Sequence, residues 1–203
     1  MLTTRRRLSP DGRRDQLLDI GAALFAARPY EDVDMSQVAA NAGVSRALLY
    51  RYFPGKREFF AAVFQRARDR LLQASQLDPA LPLAEQVAAG LDAHFDYFLA
   101  NARTVLAANR GAMSGDPVVQ GVIAAELGAL RQRMLDATGL DGHPRELLSI
   151  AVNGWLAFVR AACIDWLEQR TISQQELKDM CLRVLTGAID SDVFTTRHVG
   201  DGE

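Results

Sequence analysis

Cysteine, histidine and uninterrupted apolar runs are all scarce in this sequence, and each scarcity removes a class of function. The two cysteines, Cys163 and Cys181, lie in helical patterns with no Cys or His at ligand spacing, so they read as small buried side chains and not as a disulfide or metal motif. The three histidines, His94, His143 and His198, share no helix face, and Glu-x-x-His, His-Glu-x-x-His, G-x-S-x-G and glycine-rich phosphate loops are absent. No cofactor or metal is expected. Asp92 and Asp96 flank His94 at a spacing that marks a solvated face, which leaves a small all-α enzyme a remote alternative and a helical protein-interaction module a second one. No 18-residue apolar run occurs, and Arg5, Arg6 and Arg7 are not followed by the apolar segment of a secretory signal. The expectation is therefore a cytoplasmic protein with no membrane partner.

The net charge of -2 conceals an uneven distribution. Residues 1–73 hold 13 Lys/Arg against 8 Asp/Glu, and residues 74–203 hold 10 against 17. The front of the chain suits a polyanion and the rest does not. Strand-like alternation is also missing, whereas helical periodicity recurs throughout, so the fold class expected is all-α with about nine helices.

Leu17, Ile20, Gly21, Leu24 and Phe25 mark an amphipathic first helix over 13–27, ended by Pro29. Asp34 is placed to cap a short second helix that carries Met35, Val38, Ala39 and Ala42 inward. Gly43 supplies a left-handed turn, and Ser45 caps a third helix ending near Tyr52. A fourth helix spans about 56–75, and the segment from Leu77 to Pro82 ends it. Further helices follow over about 83–101 and 103–112, then from the Asp116 cap with Pro117 to Thr138, from Pro144 to Gln169, and after a Ser173/Glu176 capping box. The domain expectation is an arm and N-terminal head over 1–56 and a larger C-terminal domain over 57–203, with the fourth helix connecting the two.

Residues 35–53, MSQVAANAGVSRALLYRYF, form two short helices joined at Gly43, the arrangement of a helix-turn-helix. The second presents Arg46, Ala47, Tyr50 and Arg51 outward, with Tyr52 near its end and Lys56 opening the next helix. One helix fits a major groove, where its N-terminal residues reach base edges, and the start of the next helix can hold a phosphate with an ammonium.

At these positions the sequence resembles the tetracycline-repressor (TetR) family of bacterial regulators. The pattern I-A-x-x-A-G-V-S-x-x-x-L-Y-x-Y/H-F-x-x-K is met by Val38, Ala39, Ala42, Gly43, Val44, Ser45, Leu49, Tyr50, Tyr52, Phe53 and Lys56. The resemblance covers about residues 13–75, with Pro29 and Ala47 standing where glycine is common. It implies a homodimer on a palindromic operator in double-stranded DNA, and transcriptional repression relieved by a small-molecule effector. It further implies that Arg46 and Ala47 face base edges, that Arg51 meets a base or phosphate, and that Ser36, Tyr50, Tyr52 and Lys56 meet phosphates. Ser45 belongs to the same DNA-binding set. The Arg5–Arg14 segment reads either as an arm adding DNA contacts or as a solubilising tail.

The eighth helix is apolar nearly all round, and the ninth carries a complete stripe, so a four-helix dimer interface is expected from Trp166, Leu177, Met180, Cys181, Val184, Leu185 and Ala188, the alternative being that both are core helices of a monomer. An apolar or aromatic ligand is expected among helices five to eight. Its walls would be Phe95, Phe98, Met113, Trp155, Phe158 and Val159, with Asn109 or Asn153 as orienting groups, the alternative being that this aromatic stripe is plain core.

Overall fold

The structure, a computed structural model, describes residues 8–74 and 80–188, excepting the side chain of Ala74. Arg5–Arg7, residues 77–79 and the tail after Asp190 lie outside the described residues. Those described form helices and connecting turns without a strand: α1 (Pro10–Ala27), α2 (Met35–Ala42), α3 (Arg46–Tyr52), α4 (Lys56–Ala74), α5 (Leu83–Ala100), α6 (Ala102–Asn109), α7 (Pro117–Asp136), α8 (Gly142–Gln169) and α9 (Gln174–Ala188). A 3-10 turn, Tyr30–Asp32, lies between α1 and α2. The all-α expectation is met.

The chain divides into two compact units, one formed by residues 1–68 with 101–122 and the other by residues 69–100 with 123–203. This differs from a boundary at 56/57. Much of α4 belongs with the head, and so do α6 and the start of α7, because α6 packs on α1 and on the 3-10 turn. The Arg103 guanidinium also donates to the Ala26 carbonyl at 3.4 Å.

The core of the first unit is an aromatic cluster. Phe25 meets Phe60 edge-on at 5.0 Å and Phe59 at 5.9 Å, and Phe59 in turn meets Phe53 at 4.9 Å. Gly21 is where α1 approaches α4 most tightly, since a Cβ there would lie 2.5 Å from Phe59 Cζ and 2.7 Å from Val63 Cγ2. At the other end of α1, Ser9 accepts the Gly12 amide at 3.1 Å and Pro10 occupies the first turn, three residues earlier than the periodicity alone indicates.

In the second unit α8 packs on α5 and α9. The Trp155 indole donates to the Cys181 carbonyl and the Trp166 indole to the Ile172 carbonyl, each at 2.8 Å, so both buried rings keep their one donor satisfied. Among the described residues α8 is the one helix long and apolar enough, by composition, to cross a membrane. Its most apolar window has a mean hydropathy of 1.7, and 39% of that window is buried. Its apolar side chains therefore divide between an inner face and an outer one.

Candidate nucleic-acid interface

The geometry of the head is built from helix ends. At the close of α2, Gly43 adopts φ 63°, a left-handed conformation in which a side chain is strained. The Gly43 amide then donates to Ala40 O and the Val44 amide to Ala39 O, both at 3.0 Å. This double closure is a Schellman motif, and it fixes the direction in which α3 departs. Ser45 accepts the Leu48 amide at 3.2 Å and starts α3, while Leu49 is wholly buried and anchors it.

With Leu49 inward, the opposite face of α3 is exposed at Arg46, Ala47, Tyr50 and Arg51, whereas Tyr52 is half-buried. Five of the residues expected at the interface thus share the short helix, four of them on its open face. Ser36 and Ser45 are different, because their polar groups are already engaged within the head. The Ser36 amide donates to Asp34 Oδ1 at 2.7 Å, and the Ser45 hydroxyl is occupied as the α3 cap. Hydrogen bonds from the Ser36 amide and hydroxyl hold the Asp34 carboxyl below its usual pKa of 3.8, and the fields of Arg46 and Lys56 add to the effect. Lys56 is half-buried. Its Nζ donates to the Glu31 carbonyl at 2.8 Å and lies 4.6 Å above the Tyr30 ring, a docked position and not an extended one.

Three further arginines enter this neighbourhood, Arg14 from the end of the basic N-terminal segment and Arg28 and Arg57 without a local sequence signal. Arg14 of α1 lies over Phe53 at 5.6 Å, and Arg28 donates to Gln37 Oε1 at 2.9 Å. Arg57 pairs with Asp116, 59 positions away in the chain. Such partners belong to the tertiary fold. Only their charge is visible beforehand, as the basic balance of residues 1–73.

The residues expected around a ligand fall in different units. Asn109 and Met113 belong to the first, where Met113 is buried and the Asn109 amide turns back to donate to Val105 O at 2.7 Å. Phe95, Phe98, Trp155 and Val159 are buried in the second, and Phe158 is half-buried. Asn153 is exposed, so it orients nothing in the interior of a single chain. Phe158, Trp166, Leu177 and Met180 line a groove of about 370 Å³ beside α8 and α9.

The expected dimer set needs correction. Trp166, Leu177, Cys181 and Leu185 are buried inside their own unit, because the i, i+4, i+8 stripe of α9 faces α8 and α5. Burial also pushes the Cys181 thiol up to about 11, as expected of an inert thiol. A second chain can reach Val184 and Ala188, which are exposed, and Met180, which is half-buried.

Comparison with known proteins agrees with this head. Residues 17–63 match the family model for bacterial regulatory proteins of the tetR family. The "HTH-type transcriptional activator FasR" of Mycolicibacterium smegmatis is 28% identical over 156 residues, which cover 72% of this chain and 69% of that protein. The nucleoid occlusion factor SlmA of Idiomarina loihiensis is 38% identical over 60 residues, 30% of this chain and 31% of the relative. Among solved structures, a tetR-family transcriptional regulator from Streptomyces coelicolor superposes with a TM-score of 0.80 at 25% identity, covering 89% of this chain and 82% of that one. The fatty acid degradation regulator FadR of Bacillus halodurans shares the fold, with a TM-score of 0.67 at 17% identity over 89% of this chain and 96% of that one. Residues 17–63 thus form a tetR-family DNA-binding head, and the chain resembles TetR-family transcriptional regulators in sequence and fold.

Proposed function

We propose that the protein works in the cytoplasm as a twofold dimer that represses transcription from a palindromic operator and is released by a small apolar or aromatic compound. The observation that carries this reading is the open face of α3, where Arg46, Ala47, Tyr50 and Arg51 stand exposed around a buried Leu49. Arg46, in the first turn, is suited to bidentate contact with a guanine, and Lys56 to a phosphate once it leaves the Glu31 carbonyl.

The outer face of α8 supports the dimer. Leu147 is 57% exposed and Ile150 74% exposed, and Gly154, Ala157 and Ala161 continue the row at the spacing that small residues need for close helix approach. Val184, 39% exposed, extends the surface on α9. Twofold pairing sets two recognition helices at a separation matched to successive major grooves, about 34 Å apart. A ligand that favours another separation weakens DNA binding, and DNA weakens the ligand by the same factor. The apolar ligand class is supported by the aromatic interior of the second unit. It is also supported by a fold neighbour, the FadR regulator of Bacillus subtilis, which was solved with stearoyl-CoA at a TM-score of 0.65 and 16% identity.

The test is a gel shift with the DNA upstream of the protein's own gene, followed by a reporter fused to that promoter. Repression predicts a retarded band and a reporter that falls when the wild-type protein is supplied but not when Arg46→Ala is. A reporter that rises assigns activation instead, the activity named for the FasR relative. No retardation of any upstream fragment at low salt defeats autoregulation and leaves a remote operator to be found by selection from random duplexes.

A further inference from the structure

Asp116 is a buried carboxylate of the first unit with both oxygens engaged. It is 7% exposed. Its Oδ1 accepts the Val118 amide at 2.9 Å and the Val119 amide at 3.0 Å, which starts α7, and its Oδ2 accepts the Arg57 Nε in the first turn of α4. A helix cap needs only one side-chain oxygen, and serine, threonine or asparagine supplies it without charge. A buried carboxylate is costly unless paired, so the second oxygen and the charge are accounted for by Arg57.

Arg57 follows Lys56 directly. Lys56 is docked on the Glu31 carbonyl and the Tyr30 ring, in the turn that leads to the α2 cap. The neighbourhood is electrostatically continuous as well: burial raises the Tyr30 pKa above 10.0, and the charges of Glu58 and Asp116 raise it further. The first turn of α4 is thus clamped on one side by Lys56 and on the other by the pair.

We propose that Asp116 is a positioning residue for DNA binding: by holding Arg57 it fixes the first turn of α4, and with it the place from which Lys56 meets a phosphate. The inference rests on the DNA-binding reading of Lys56 and is independent of dimer geometry and ligand. Holding the turn beforehand spares the ordering of that piece of backbone at the moment of binding, a gain of about threefold to tenfold in affinity.

Asp116→Asn keeps an oxygen for the α7 amides and removes the charge that holds Arg57. The full chain is titrated into a fluorescent random-sequence duplex at low salt, as wild type, Asp116→Asn, Lys56→Ala and the double variant. Asp116→Asn is expected to weaken binding about threefold to tenfold in the wild-type background and less than twofold in the Lys56→Ala background, while it lowers thermal stability equally in both. The same loss of DNA affinity in both backgrounds overturns the proposal and leaves Asp116 a structural cap. An unchanged affinity for Asp116→Asn overturns it too. A Lys56→Ala chain that binds like wild type refutes the phosphate role of Lys56 itself, a distinct failure that takes the proposal with it. Arg57→Gln, on the exposed side of the pair, is subject to the same criteria if Asp116→Asn does not fold.

Discussion

Arg46 and Lys56 both carry positive charge, and their surroundings assign them different work. Arg46 stands exposed in the first turn of α3, whereas Lys56 lies against a carbonyl and a ring. Arg46→Ala should cost about 1–3 kcal/mol against the preferred sequence and much less against random DNA. Lys56→Ala should weaken every duplex alike and reduce the salt slope by about one. Binding isotherms on selected and random duplexes over a salt series separate the two, and equal losses on both DNAs for both variants would contradict the assignment. Gly21→Ala is a test of packing. The added methyl meets Phe59, a ring fully buried between Phe25 and Phe53, so no flexible end is available to yield. A loss of about 1–3 kcal/mol in thermal or denaturant unfolding is expected, despite the better helix propensity of alanine. At this scale the sequence was readable where chemistry is local. The outward set of α3 follows from helical geometry, while the partners of Arg14, Arg28 and Arg57 depend on chain segments that nothing local announces.

Helix ends carry much of the information in this fold. Ser9, Asp34, Ser45 and Asp116 all cap as side-chain acceptors, and Ser173 and Glu176 cap reciprocally. The Glu176 carboxylate accepts the Ser173 amide at 2.8 Å and its hydroxyl at 2.7 Å, and these bonds hold its pKa below 4.5. A depressed folded-state pKa gives stability that is complete above the unfolded value and is lost as pH falls through the folded one. The start of α9 should therefore protect its amides from exchange at neutral pH and loosen below about pH 4.5. Glu176→Gln should remove most of that pH dependence, and an unaltered exchange profile in the variant would argue against the box. Because caps leave a sequence signature, most helix boundaries were legible to within a few residues. The 3-10 turn Tyr30–Asp32 was not, since three residues are too few to establish a period. Nor was the inward turn of the α9 stripe: periodicity shows that one face is apolar but not whether its cover comes from the same chain.

For the whole molecule, the division into units sets the scale of the remaining tests. α6 and the beginning of α7 belong with the DNA-binding head although more than a third of the chain separates them from α1, a grouping that arises from packing and from pairs such as Arg57 with Asp116. In the other unit, Ile150→Glu should place a charge on the exposed apolar row of α8 and convert a dimer to monomer at micromolar concentration, as read by light scattering. Dimers persisting in that variant would move the interface elsewhere. Both tryptophans of the chain, Trp155 and Trp166, are buried in this second unit, each tied to a backbone carbonyl. The molecule consequently carries a built-in optical reporter for one unit alone. Indole emission follows the melting or occupancy of the helices around α8, the head that meets DNA is dark at the same wavelengths, and any change of emission on adding a duplex is a direct reading of communication from one unit to the other.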